Sequence, residues 1–186
     1  MLGLLLMFNA TAMFVCTLLS VYLDDGATEG LLFSALITIG IGLLLLLITR
    51  NRKREIKMRD GYLTVVMGWL SMVIFGTLPY LLTQSLVSYS DALFETMSGF
   101  TATGATIVQD IEALPKSIIL WRSLTHWLGG MGIIVLAVAI LPLLGIGGVQ
   151  LFSAEATAVG GDKLHPRISY TAKRLWYIYV GFTVLE

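Results

Sequence analysis

Residues 95–107 read Glu95-Thr96-Met97-Ser98-Gly99-Phe100-Thr101-Ala102-Thr103-Gly104-Ala105-Thr106-Ile107. This stretch is rich in threonine and glycine and lies between two long apolar runs. It is too polar and too glycine-rich to continue a membrane helix. The apolar segment that leads into it, Ala92 to Phe100, is too short to cross a bilayer. A short helix followed by Thr-Gly backbone at membrane depth predicts a re-entrant loop. Irregular backbone survives there only when it is buried in protein or lines a water-filled cavity. The pattern points to ion conduction.

The surrounding composition sets the environment. The chain has 186 residues, of which 56% are hydrophobic and 13% charged, against about 45–50% and about 25% in an average soluble domain. It reads as an integral membrane protein in contact with the lipid bilayer. Formal net charge is zero, so charge balance indicates no partner, and no nucleic-acid partner is expected. The single cysteine, Cys16, sits in an apolar run. It can form no disulfide within the chain and reads as a buried structural thiol. The N-terminal apolar run lacks a basic flank and is longer than a signal-peptide core, so it reads as a retained helix.

Four segments reach the length a membrane helix needs, about 20 mostly apolar residues. They are residues 2–23, 31–49, 62–83 and 118–144. A fifth begins near Leu175 and runs into Glu186, which reads as part of a longer protein. The expected organisation is a transmembrane hairpin (1–50), a basic cytoplasmic link (51–61), a helix–loop–helix repeat (62–147), a cytoplasmic loop (148–174) and the start of a further helix (175–186). Charge sets the sidedness. Arg50, Arg52, Lys53, Arg54, Lys57 and Arg59 mark a cytoplasmic link, as do Lys163, Arg167, Lys173 and Arg174 after the fourth segment. Asp24, Asp25 and Glu29 then lie outside, together with the Thr-Gly stretch.

Within that outer connection, Ser88 and Ser90 are helix-start residues, and Asp91 falls in the first turn, where a carboxylate suits the helix dipole. The helix is predicted to end near Gly99, with its partially negative C-terminus aimed at residues 101–106. That polarity favours a cation. A dehydrated cation needs oxygens in place of its water shell, and peptide carbonyls can supply them. Gly104 is the natural backbone pivot. Ala102 and Ala105 allow close approach, and the hydroxyls of Thr101, Thr103 and Thr106 either tie the loop down or add a ligand. An ordinary outer loop is the plain alternative.

At this point the sequence resembles a known family. The run Phe94-Glu95-x-x-Ser98-Gly99-Phe100-Thr101-x-Thr103-Gly104-Ala105-Thr106 is similar to the first filter segment of the Trk/Ktr/HKT potassium transporters, the TrkH-type subunits in particular. So are Trp121-Arg122-Ser123-Leu124-x-x-Trp127-Leu128-Gly129-Gly130-Met131-Gly132 and Gly148-x-Gln150-Leu151-Phe152-x-Ala154-Glu155. Lys163-Leu164-x-Pro166-Arg167-Ile168, Thr171-Ala172-Lys173-x-Leu175-Trp176 and Arg59-Asp60-Gly61 extend the likeness over most of the chain. The resemblance implies an all-α membrane protein built from four helix–pore-loop–helix repeats around one potassium pathway. This chain then holds a two-helix hairpin, the first repeat and the start of the second. The resemblance further implies that Thr101, Ala102, Thr103 and Gly104 line one quarter of a K+ filter through their backbone. Potassium is the transported ion, and no organic cofactor is expected. Implied partners are a second copy of the chain and a TrkA-like cytosolic nucleotide-binding subunit, at a bacterial inner membrane. Ala102 departs from the pattern, in which threonine is common there.

Arg122 lies in an apolar segment, where a charge normally faces the protein interior or water. Glu95 is its expected partner, which a charge swap is designed to test. His126 reads as hydrogen-bonded packing and His165 as solvated. Gly129, Gly130 and Gly132 read as small residues for close packing against the short helix or the third span. Trp69, Tyr80, Tyr89, Trp121, Trp127 and Trp176 read as interfacial anchors. Two other functions remain open at this stage. Ser98 and His126 suggest an intramembrane hydrolase dyad, although no oxyanion hole is evident. A structural membrane subunit without its own pathway is the other. No Gly-rich phosphate loop is present in the sequence.

Overall fold

Lipid offers no partner to a backbone N–H or C=O, so an apolar run of membrane length folds as a helix that satisfies its own backbone. The computed structural model describes residues 2–49, 58–140 and 164–185. The regular elements there are all helices: α1 Leu2–Leu23, α2 Thr28–Thr49, α3 Met58–Gly76, α4 Leu78–Leu82, α5 Tyr89–Phe100, α6 Lys116–Ile140 and α7 Leu164–Leu185. Three stretches among the described residues, Leu2–Leu23, Thr28–Thr49 and Leu63–Leu82, are long and apolar enough to cross a membrane. The expected fourth span starts in α6, and its last residues, with Pro142, lie outside the described residues.

The element starts that differ most from the sequence reading are those of α3 and α7. α3 begins at Met58, inside the expected link. α7 begins at Leu164 rather than near Leu175. Pro166 falls in its first turn, where a missing N–H leaves no hydrogen bond broken.

The chain divides into two compact units, Met1–Trp127 and Leu128–Glu186. In the first, α1 and α2 form a hairpin. Their buried stripes recur every three or four residues: Gly3, Leu6, Ala10, Met13, Thr17 and Ser20 on α1, and Leu31, Ser34, Ala35, Thr38 and Gly42 on α2. The stripes are small and partly polar, as expected where helices associate in lipid by close packing. A Cβ on Gly3 would lie 2.6 Å from the Gly42 carbonyl oxygen. The outward faces stay apolar and exposed, with Leu18, Tyr22, Leu44 and Leu47. The turn between the helices uses positive φ at Asp24 (49°) and Gly26 (77°).

The third span is one path broken near Pro79. Proline lacks the N–H that would bond to Phe75, so α3 stops at Gly76 and α4 starts at Leu78. The bonds Thr77 N to Val73 O (3.1 Å) and Leu81 N to Thr77 O (3.2 Å) carry the chain across. A buried cluster joins Met13, Cys16, Leu31, Tyr80, Ala92 and Trp121, binding the hairpin to α4, α5 and α6. Tyr80 and Trp121 are therefore core residues and not interfacial anchors. Trp121 also donates its indole N–H to the Gly76 carbonyl at 3.2 Å.

In the second unit, a Cβ on Gly130 would lie 2.7 Å from the Tyr179 hydroxyl of α7. Gly130 thus packs closely against α7. Trp176 donates to the Met131 sulfur at 2.8 Å.

Candidate functional site

The site is built on α5. Ser88 occupies its N-cap in extended conformation without a side-chain hydrogen bond, and Asp91 sits in the first turn. Two glycines let α5 approach its neighbours. A Cβ on Gly76 of α3 would meet Thr96 Cγ2 at 2.7 Å and Phe100 Cε2 at 2.9 Å. A Cβ on Gly99 would collide with Thr125 of α6. Neither close approach has a local signature in the sequence, where Gly99 reads as the end of the short helix and as part of the Ser98-Gly99-Phe100 motif.

α5 ends one residue beyond the predicted Gly99. Thr101 keeps helical angles as the C-cap, and the next residue, Ala102, has φ +53°. Ala102 N bonds to Gly99 O at 2.9 Å and Thr103 N to Ser98 O at 3.0 Å. These two bonds make a Schellman closure, a position that normally selects glycine. Alanine in this left-handed region costs roughly 1–2 kcal/mol. Gly104 follows with φ +77° and open space around its Cα.

Both sides of the loop are pinned. Ser98 Oγ donates to the Ala105 carbonyl at 2.5 Å. Thr101 donates to Met97 O at 2.8 Å and lies 2.7 Å from the Thr103 hydroxyl. Thr106 Oγ1 donates to Glu95, 3.1 and 3.0 Å from its two oxygens, and Ile107 N donates to the same carboxylate at 3.2 Å. Glu95 is fully buried. Its countercharge is Arg122, whose Nε lies 2.5 Å from Oε1 with 18% of the side chain exposed. The structure therefore brings together Glu95, Thr106 and Arg122, and the threonine hydroxyls act as ties.

Among the described residues, the carbonyl oxygens of Thr101, Ala102, Thr103 and Gly104 accept no hydrogen bond from the protein. The carbonyls of Ser98, Gly99 and Ala105 are bonded, whereas that of Phe100 is not. The loop is exposed from Thr101 to Ile107. An open cavity of about 150 Å³ lies beside it, lined by Phe94, Met97, Ser98, Thr101, Thr103 and Ala105.

His126 and Ser98 have other engagements. His126 Nδ1 lies 2.9 Å from the Arg122 carbonyl, and Ser98 points its proton at the loop backbone. Ser98→Ala is expected to cost about 1 kcal/mol, the usual net value of one hydrogen bond. Thermal unfolding of the purified intact protein measures it. An unchanged midpoint would mean that this tie contributes nothing.

One further contact was not legible from sequence. Asp25, in the α1–α2 turn, accepts from Ser117 N of α6 at 2.8 Å, across 92 positions. Trp121 sits one turn further along α6, against the same hairpin cluster.

Comparison with known proteins agrees with this architecture. Residues 31–186 match the TrkH family, described as a cation transport protein. The Trk system potassium uptake protein TrkH of Halomonas elongata is 45% identical over 185 residues, covering 98% of this chain. The protein of that name from Escherichia coli K12 is 42% identical over 184 residues. The crystal structure of the potassium transporter TrkH from Vibrio parahaemolyticus superposes with a TM-score of 0.81 at 40% identity, covering 98% of this chain. The chain spans 38% of the length of the first two and 36% of the third. With most of its length matched, this multi-pass membrane chain belongs to the TrkH cation transport family.

Proposed function

We propose that this chain contributes one quarter of the filter of a potassium uptake pathway, with the carbonyls of Thr101, Ala102, Thr103 and Gly104 as ligands for K+. The observation that carries the reading is that these four consecutive carbonyls, exposed at the C-terminal end of α5, accept no hydrogen bond from the described residues. Peptide oxygens that become covered need partners, and once sibling loops enclose this exposed stretch a dehydrated cation is a suitable one. Positive φ at Ala102 and Gly104, on either side of Thr103, supports it further. The α5 C-terminus adds partial negative charge behind the loop.

The relatives are named for potassium uptake by a Trk system, which supports K+ as the substrate. On this reading three similar loops complete the filter, in a helix–pore-loop–helix arrangement like that of potassium channels. They cover the exposed side chains of Phe94 and Met97. The Thr-Gly loop faces the outside of a bacterial inner membrane. The family resemblance adds a homodimer and a TrkA-like nucleotide-binding subunit on the cytosolic side. The hydrolase alternative loses its footing, because the Ser98 proton is directed at Ala105.

The test is growth and ion uptake of potassium-uptake-deficient cells carrying the intact protein or Gly104→Ser. A side chain at φ +77° strains the loop by roughly 1–2 kcal/mol. Discrimination of K+ over Na+ is expected to fall by roughly tenfold. Wild-type selectivity in Gly104→Ser would favour a structural subunit instead.

A further inference from the structure

We infer that Asp25, and through it the N-terminal hairpin, is a positioning element for the filter loop, acting through the N-terminus of α6. This rests on the filter reading above and adds a residue to it that lies outside the Thr-Gly segment.

The first turn of a helix presents N–H groups without intrahelical partners, and a carboxylate normally caps them from just upstream. In α6 the residue before Lys116 is Pro115, whose side chain cannot accept a hydrogen bond. The cap comes from elsewhere: Asp25 Oδ2 takes the Ser117 N–H at 2.8 Å. The other oxygen, Oδ1, takes the Ser20 hydroxyl at 2.5 Å and the Ala27 N–H at 3.2 Å. Ser20 lies 2.9 Å from the Thr28 hydroxyl. One carboxylate thus joins the end of α1, the start of α2 and the start of α6. Burial pushes the Asp25 carboxyl up. Hydrogen bonds from Ser20 and Ser117, then from Ala27, outweigh that and hold it below the usual carboxylate range. The group stays ionised, as a cap on a helix dipole requires.

The path onward is rigid. Arg122 is five residues from Ser117, about 7.5 Å along the helix axis. Ile118 and Trp121 between them are fully buried. Arg122 pairs with Glu95, and Glu95 holds Thr106 and Ile107 at the far side of the loop. A shift of the α6 start therefore reaches the loop through two contacts. The hairpin, which contributes no residue to the loop, fixes the start of that path.

The experiment uses the intact protein in uptake-deficient cells, with uptake normalised to protein in the membrane. Asp25→Ala is expected to raise the apparent KM for K+ by roughly three- to tenfold, the ratio a lost helix cap corresponds to. Discrimination of K+ over Na+ falls with it. Asp25→Asn keeps a cap oxygen and is expected to lie between Asp25→Ala and wild type. A purely structural role gives less protein in the membrane with unchanged KM and selectivity, and overturns the inference. So does loss of both variants from the membrane. Gly104→Ser, measured alongside, separates the two readings. If it alters selectivity and Asp25→Ala alters neither parameter, only the positioning role fails. If neither affects selectivity, the filter reading fails.

Discussion

Arg122→Ala lowers the stability of the intact protein by about 3–5 kcal/mol, the range for removing one partner of a buried ion pair. Glu95 is fully buried and keeps the Thr106 hydroxyl and the Ile107 amide as donors, but it loses its countercharge. Those donors do not neutralise a carboxylate in a low-dielectric setting. The far side of the loop loosens, so transport affinity is expected to fall along with the thermal midpoint. A reversed pair, Glu95→Arg with Arg122→Glu, is not expected to rescue. Position 95 must accept hydrogen bonds from Thr106 and Ile107, and a guanidinium has no acceptor. The appropriate double variant is Glu95→Gln with Arg122→Met. It retains an acceptor at 95 and removes both charges, and it is expected to recover much of the loss, because neutral replacements of buried pairs are often tolerated. Thermal unfolding of the two single variants and the double variant gives the coupling energy. A single-variant loss under about 1 kcal/mol would show that the pair behaves like an exposed one.

That ion pair was legible in the sequence because a charge in an apolar segment demands a partner. Few candidates existed on the same side. The short helix was legible for a similar reason: Ser88, Asp91 and an apolar run too short to span. The sidedness argument used Asp25 only as one negative charge among several. Its actual role, a cap 92 positions away, has no local signature. Tyr80 and Trp121 were read as interfacial anchors because an aromatic near a helix end looks the same whether it faces headgroups or core. The buried cluster decides this, and it depends on how α1 packs against segments distant in the chain.

Glycines divide the same way. Gly104 was read as a backbone pivot, and its φ of +77° agrees. Ala102 was unreadable, since alanine carries no preference for the left-handed region it occupies at +53°. It takes that conformation because the Schellman bonds at the end of α5 impose it. Gly130 was read as a close-packing residue, and the close contact is present. Small residues announce a contact without naming its partner, and here the partner is Tyr179.

Gly99→Val gives the second large effect, and competing magnitudes decide its sign. Glycine inside a helix is roughly 0.5–1 kcal/mol worse than alanine, so a side chain at 99 is favoured by propensity alone. Against this, the new Cβ collides with Thr125 Oγ1 and lies 2.9 Å from Thr125 Cβ. Thr125 cannot move aside. It is fully buried, β-branched, and donates to the Arg122 carbonyl at 2.7 Å. Overpacking at such a site costs roughly 1–3 kcal/mol, and valine adds two methyl groups beyond the Cβ. The clash wins, and α5 and α6 are expected to separate. Separation stretches the Glu95–Arg122 pair, because Arg122 lies on the turn of α6 next to Thr125. Loss of stability should therefore come with a raised KM for potassium. Thr125→Gly removes both colliding atoms and is expected to restore Gly99→Ala to near wild-type uptake, with only partial rescue of Gly99→Val. If Gly99→Ala alone proves as stable and as active as wild type, the close contact between the two helices is not what fixes the loop.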